Sequence, residues 1–148
     1  MVLSVKHFDE LTPRELYEIY RLRVSVFVVE QNCPYQEVDP IDPVAWHLTL
    51  HDGGEIAAYA RVFRYAQDTA AIGRVISVRR RCGHGTQILK AAIETAKKIY
   101  APKIITLEAQ VYAKEFYEKQ GFRKASEPFL EDDIPHIRMN LFTSQAMR

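Results

Sequence analysis

Val78-Arg79-Arg80-Arg81-Cys82-Gly83-His84-Gly85-Thr86 is the stretch on which the fold turns. Before it, Ala71 to Val78 reads as a strand. After it, Ile88, Leu89, Ala92, Ile93, Ala96, Ile99 and Tyr100 recur at helical spacing until Pro102 stops them. The stretch therefore joins a strand directly to the N-terminus of the longest helix in the chain. Such an N-terminus presents N–H groups without partners and the positive end of the helix dipole, and glycines let the backbone approach an anion closely. The arginines add formal charge at the same place, so Arg80, Arg81, Cys82, Gly83, His84, Gly85 and Thr86 together read as a cradle for a diphosphate. It is not a Walker loop, because no Gly-Lys-Ser/Thr closes it. Nor is it a dinucleotide fingerprint, because Ile88 stands where the third glycine belongs. The plain alternative is a tight turn with solvated arginines.

Working outward, Thr12-Pro13-Arg14-Glu15 combines a cap, a first-turn proline and a capping-box glutamate, and Leu16, Ile19, Tyr20 and Phe27 continue a helix to about Val28. Gln31 to Pro43, with Pro34, Pro40 and Pro43 among acidic residues, reads as a long loop, and loops of this length are often functional. Trp46 to Leu50 and Ile56 to Arg64 read as strands around the turn Asp52-Gly53-Gly54, followed by the strand that enters the cradle. Downstream come a strand from Ile104 to Leu107, a short helix from Tyr112 to Gln120 stopped by Gly121, and a last hairpin. That hairpin pairs Phe122 to Lys124 with His136 to Phe142 across Glu131-Asp132-Asp133. The order β, α, βββ, α, β, α, ββ is a mixed α/β domain containing one right-handed strand, helix, strand crossover.

At 148 residues, 47% hydrophobic and 26% charged, the chain fits one globular domain spanning residues 1–148. No apolar run approaches the roughly 18 residues that cross a bilayer, and Met1 to His7 lacks the order of a secretory signal, so a soluble, cytoplasmic protein is expected. Cys33 and Cys82 are too few for a disulfide framework and form no CxxC pair; both read as reduced thiols. The net charge of +1 supports neither a nucleic-acid nor a membrane partner. No metal site is expected: His47 and His51 have metal-like spacing, but the turn that follows makes them a hairpin feature.

Gln110 and Tyr117-Glu118-Lys119-Gln120-Gly121-Phe122 form a second cluster. Tyr117 lies on the short helix that begins where a strand ends, placed to reach the sheet edge beside the cradle and to act as a proton donor; a packing role is the alternative. These two clusters, in this order, resemble the GNAT superfamily of N-acetyltransferases. Its phosphate loop, Gln/Arg-x-x-Gly-x-Gly/Ala, is matched by Arg80-Arg81-Cys82-Gly83-His84-Gly85. Its later motif, Asn, six residues, then Tyr-Glu-Lys-x-Gly-Phe, is matched from Gln110, with Gln in place of Asn. Phe27-Val28-Val29-Glu30-Gln31-Asn32-Cys33-Pro34-Tyr35-Gln36-Glu37, Asp39, Asp42 and Asp133-Ile134-Pro135-His136-Ile137-Arg138-Met139 resemble the ElaA-like branch.

The resemblance implies a mostly antiparallel sheet with helices on both faces, splayed between the strand Ile72 to Val78 and the strand Ile104 to Ala109, with acetyl-CoA in the splay. It implies main-chain bonds from Ile76 and Val78 to the pantetheine arm, amides from Arg81 through Thr86 on the diphosphate, a contact from Gln110 to the cofactor arm, and an outward Arg81 side chain. Arg81 occupies a place that is often glycine in relatives. The activity implied is acetyl transfer to a primary amine, carried by a small molecule or a peptide, by direct attack. Tyr117 would protonate the sulfur, and Glu108 first, then His136, are candidates for the base. Glu30, Glu37, Asp39 and Asp42 are expected to attract a cationic amine, and His47 or Arg74 to fix a carboxylate or a backbone group of the acceptor. A domain that senses CoA without transferring, or a structural one, is the alternative reading. The sequence is equally compatible with a monomer and a homodimer.

Overall fold

The computed structural model describes residues 1–79 and 81–147. β1 (Val2–His7) is one edge of an eight-stranded sheet and leads to α1 (Pro13–Val24). The start of α1 is closed by its own side chains: Thr12 Oγ1 accepts from the Glu15 amide at 3.1 Å, and Glu15 Oε1 accepts from the Thr12 amide at 2.9 Å. The ordinary helix ends at Val24, short of the expected Val28, and the chain continues as a π-helical turn, Ser25–Glu30. β2 (Trp46–Asp52), β3 (Glu55–Ala66) and β4 (Thr69–Ser77) form the expected antiparallel meander. α2 (His84–Tyr100) then crosses to β5 (Ile104–Gln110), a longer strand than the sequence suggested.

After β5, a 3-10 turn (Val111–Ala113) and the five-residue α3 (Lys114–Glu118) replace the longer helix expected there, and Gly121, at φ +98°, ends it. β6 (Arg123–Lys124) pairs with β8 (Ile134–Phe142) as expected, and an additional strand, β7 (Phe129–Glu131), makes the tight hairpin with β8. Its two turn residues, Asp132 and Asp133, both have positive φ (50° and 64°), the backbone that a two-residue hairpin requires.

The sheet order is β1-β2-β3-β4-β5-β8-β6, with β7 also on β8. α2 buries Ile88, Leu89, Ala92 and Ala96 against Ala58, Ala60, Val62, Ala70 and Ile105 on one face. Alanines on the strands let the helix lie close, while each buried Ile or Leu contributes about 1.5–3 kcal/mol. α1 covers the other face through Ile19, over Tyr59 and Ile76.

β4 and β5 are parallel neighbours, yet they pair only from Thr69↔Ile104 to Ala71↔Thr106. The cause lies in β4. Tyr59 pairs with Ile76 but Arg61 pairs with Gly73, so Arg74 and Val75 together oppose Ala60 in a β-bulge, and Arg74 sits at φ +53°. A bulge bends its strand and increases the local twist. Beyond it, β4 leaves β5, while β5 stays paired with β8 as far as Gln110↔His136. The sheet is therefore splayed where the resemblance required.

Candidate active site

The splay receives the start of α2 on one side. Gly83 caps this helix at φ +78° with no side-chain cap, and the first helical bond runs from the Gln87 amide to the Gly83 carbonyl at 3.0 Å. The amides of His84, Gly85 and Thr86 precede that first bond, so the helix itself offers them no carbonyl. A Cβ built on Gly83 would meet nothing within 4 Å, so the approach to these amides is open. Gly85 has a different reason: a Cβ there would lie 3.3 Å from Ser77 Cβ and 3.5 Å from Phe116 Cζ, so the glycine lets α2 start tight between β4 and α3. Arg81 adopts φ +62°, which explains why a glycine suits this position, and its side chain is exposed, as is Cys82. His84 is buried, and its Nδ1 has no partner among the described residues. Arg80 lies outside the described residues. The residues present fit a diphosphate: uncapped amides, an open approach and nearby guanidinium charge.

The main chain of β4 corrects one expectation. The Val78 amide donates to the Ala57 carbonyl at 2.9 Å, so it is committed to β3. Because backbone groups alternate along an antiparallel pair, those of Ile76, opposite Tyr59, also turn to β3, and those of Ser77 turn into the splay. The main-chain groups of Ile76 and Val78 are therefore taken up by β3 rather than facing the splay as expected, and those of Ser77 are the ones that face it.

Tyr117 is buried on α3, its ring edge-on to Phe116 at 5.0 Å and to Phe122 at 6.1 Å. Since Phe116 touches the Gly85 position, α3 and the cradle are direct neighbours, as the order of the two motifs suggested. Burial, with a smaller contribution from Tyr112, pushes the Tyr117 hydroxyl well above the ordinary tyrosine range, so it stays protonated at neutral pH.

Across the splay, β5 and β8 expose a polar shelf on the face away from α2. Arg138 Nη2 donates to Glu108 Oε1 at 2.7 Å and Nη1 to Thr106 Oγ1 at 2.9 Å, with the guanidinium 5.0 Å from the centroid of the Tyr65 ring. Thr106, Arg138 and Asn140 line an open groove of about 210 Å³ with Tyr65 and Thr69. His136 Nδ1 lies 2.7 Å from the Ile134 carbonyl. Gln110 donates through Nε2 to Gln31 Oε1 at 3.3 Å, a contact to the loop rather than toward the cradle, and Cys33 Sγ donates to the Asp132 carbonyl at 3.3 Å. The loop after α1 is thus tied both to the end of β5 and to the tip of the β7–β8 hairpin. Glu131, which the sequence offered only as a turn residue, stands on this hairpin.

The acidic loop is not the free negative surface expected of it. Arg23, fully buried, bonds Glu37 Oε2 through Nε at 2.9 Å and Asp42 through Nη1 at 2.6 Å and Nη2 at 3.0 Å. Arg61 takes Asp39 at 2.7 and 2.9 Å and Asp42 at 2.9 Å. Arg74 places Nε 2.6 Å from Glu37 Oε2 and Nη2 3.5 Å from Asp39, under the rings of Tyr35 and Phe27. Burial raises the pKa of Asp39 and of Asp42, but the guanidinium bonds outweigh it and hold both below the usual carboxylate range. His47 is buried too, with Nδ1 2.6 Å from the Tyr59 hydroxyl and Nε2 3.0 Å from the Asp42 carbonyl. Burial lowers its pKa, which keeps the ring neutral. Glu37, Asp42 and His47 therefore offer no surface to an acceptor, and Asp39 and Arg74 are occupied with each other and with the loop. Glu30 alone of the expected group is exposed, at the end of the π-helical turn. Among the described residues no three His, Cys, Asp or Glu side chains converge as metal ligands.

Comparison with known proteins bears directly on this geometry. The profile of the family described as "Acetyltransferase (GNAT) domain" matches residues 17–142. The chain belongs to that GNAT acetyltransferase family. It is 44% identical over 140 residues to the UPF0039 protein C11D3.02c of Schizosaccharomyces pombe, covering 92% of this chain and 93% of that one. The crystal structure of Escherichia coli ElaA superposes with a TM-score of 0.89 at 36% identity, over 95% of this chain and 99% of ElaA. A Pseudomonas aeruginosa protein described as an acyl-CoA N-acyltransferase superposes with a TM-score of 0.88 at 38% identity, over 95% and 99%. The resemblance to the superfamily and its ElaA-like branch, and the splayed mixed sheet with helices on both faces, thus hold for this GNAT chain. No helix among the described residues is long and apolar enough to cross a membrane.

Proposed function

We propose that this GNAT chain is a cytoplasmic N-acetyltransferase that moves an acetyl group from acetyl-CoA to a primary amine, of a small molecule or a peptide, by direct attack. The observation that carries the reading is the contact between the two motifs: the uncapped start of α2 and the Tyr117 helix meet at Gly85 and Phe116, beside the splay that the β4 bulge opens. The amides of His84, Gly85 and Thr86 would hold the diphosphate, with Arg81 adding charge. The Ser77 main chain, turned into the splay, would meet the pantetheine arm as a neighbouring strand would.

Acetyl transfer from a thioester needs a neutral amine, a donor for the oxyanion, and a proton for the departing sulfur. A fixed backbone donor can contribute about 3 to 4 kcal/mol to the transition state, and the splayed end of β4 supplies it. Tyr117, kept protonated by burial, has a proton to deliver to sulfur. The amine would approach over the polar shelf, where Glu108 and His136 stand.

The test is release of free thiol from acetyl-CoA in the presence of a panel of primary amines: a polyamine, lysine, an amino sugar and a short peptide. Amine-dependent release is expected, and Tyr117→Phe, which removes a hydroxyl and little volume, should lower turnover by about 10²-fold while CoA affinity persists. CoA binding without thiol release for any amine would replace this reading with that of a CoA-sensing domain.

A further inference from the structure

The polar shelf divides its carboxyl groups unequally. Glu108 stands opposite Arg138 in the β5–β8 register, and its Oε1 accepts the 2.7 Å bond from that guanidinium. His136 has its Nδ1 against the Ile134 carbonyl, which only accepts, so Nδ1 carries a hydrogen. The β7–β8 hairpin carries Glu131 back over this row: Oε2 lies 3.9 Å from His136 Nε2, and its carboxyl stands near enough to that of Glu108 to feel its charge. The side chain is 48% exposed, so an amine arriving over the shelf can reach it. Cys33 holds the hairpin tip through the Asp132 carbonyl, and Gln31 holds the end of β5, which fixes this row beside the splay.

We propose that Glu131 is the base that takes the proton from the acceptor's ammonium group, and that Glu108, fixed by Arg138, is a positioning residue for it. The proposal rests on the acetyl-transfer reading above and deepens it: the acceptor enters as a cation, received by the Glu108–Glu131 pair rather than by the acidic loop.

The protons balance. The ammonium gives one proton to the Glu131 carboxylate, and the neutral amine attacks the thioester carbonyl to form a C–N bond. As the C–S bond breaks, the second nitrogen proton leaves to water and sulfur takes the proton of Tyr117. Glu131 then loses its proton to water and Tyr117 regains one, so one proton is released overall.

The pair also explains why Glu131 suits this role. Burial first, then the neighbouring Glu108 carboxyl, then Asp132, push its carboxyl up to about 7, while Arg74 on β4 opposes them. His136, on β8, is the other ionisable group beside it, at 3.9 Å, while Arg138 on the same strand is engaged with Glu108. A base near the working pH combines a useful ionised fraction with greater strength than an ordinary glutamate.

The experiment compares the parent, Glu131→Gln and Glu108→Gln by carboxyl-carbon NMR titration of the protein without substrate, and by the pH dependence of kcat/KM for the best amine at saturating acetyl-CoA. The parent should show one carboxyl titrating near 7. Glu131→Gln should lack it, and Glu108→Gln should move it to lower pH, because the neighbouring negative charge is gone. The parent's kcat/KM should fall as pH drops through the same value, and that limb should shift down in Glu108→Gln. Glu131→Gln should lose at least about 10²-fold in kcat at neutral pH, with CoA affinity by calorimetry unchanged as a check on folding. A parent without a carboxyl titrating near 7, or a Glu131→Gln protein with the parental profile, would overturn the assignment while leaving acetyl transfer intact. A parent that acetylates no primary amine would overturn both.

Discussion

α1 and α2 begin in opposite ways. The start of α1 is closed by Thr12 and Glu15, which satisfy their own backbone and leave nothing for a ligand. The start of α2 has no side-chain cap and reaches its first turn through Arg81 at φ +62° and Gly83 at φ +78°. A stable helix prefers the first arrangement, since a cap contributes about 1 kcal/mol. On the proposed reading, the uncapped amides at the start of α2, where the sheet is splayed, are the ones that receive the diphosphate of acetyl-CoA. Local stability and binding are therefore separated between two chemically similar places.

Four substitutions bear on that contrast. Gly85→Val should have the largest effect. Its added carbons would press on Ser77 and Phe116, so the start of α2 moves away from β4 and α3, thermal stability falls, and CoA affinity by calorimetry drops at least about 100-fold. The two losses should come together, because this glycine serves packing as well as access. Gly83→Ala comes next: the methyl clashes with nothing, but a left-handed L-residue costs about 1 to 2 kcal/mol, and CoA affinity should fall roughly 10-fold as the loop relaxes away from φ +78°. Thr12→Ala should lower unfolding stability by about 1 kcal/mol in denaturant melts and leave CoA affinity untouched. A loss of CoA affinity in Thr12→Ala would break the contrast. Arg81→Gly is the smallest: relief of the strained φ offsets the added flexibility of the unfolded chain, so stability should change by less than about 1 kcal/mol. CoA affinity should weaken a few-fold at low salt and less at high salt, since one exposed charge is removed.

The parts of the fold carried by local signals were legible in the sequence. The Thr12 capping box, the Asp52-Gly53-Gly54 turn and the switch from strand to helix through the glycine loop each depend on neighbours in the chain. The β4 bulge was not, because its left-handed residue is Arg74, a type that gives no turn signal. The same bulge makes backbone direction in β4 unreadable from alternation, which is why Ser77, and not Ile76 or Val78, faces the splay.

The buried ionic cluster was hidden for a related reason. Arg23 looks like a solvated position on a helix until the loop brings Glu37 and Asp42 onto it, and that contact spans 14 and 19 residues. Glu131 was hidden by the three-residue β7, too short to be distinguished from the turn that follows it. What the sequence carried was the pair of motifs; what it lacked was the long-range pairing that decides which of several acidic residues remain available.

The contrast between the helix starts, and with it the placement of acetyl-CoA, is tested most directly by an amide ¹H–¹⁵N spectrum titrated with CoA. Donation to a diphosphate should move the His84, Gly85 and Thr86 amides strongly, and Ser77 should shift with the pantetheine arm, while Arg14 and Glu15 at the start of α1 stay in place. Shifts confined to the shelf around Thr106 and Arg138, with His84 to Thr86 unmoved at saturation, would contradict the account.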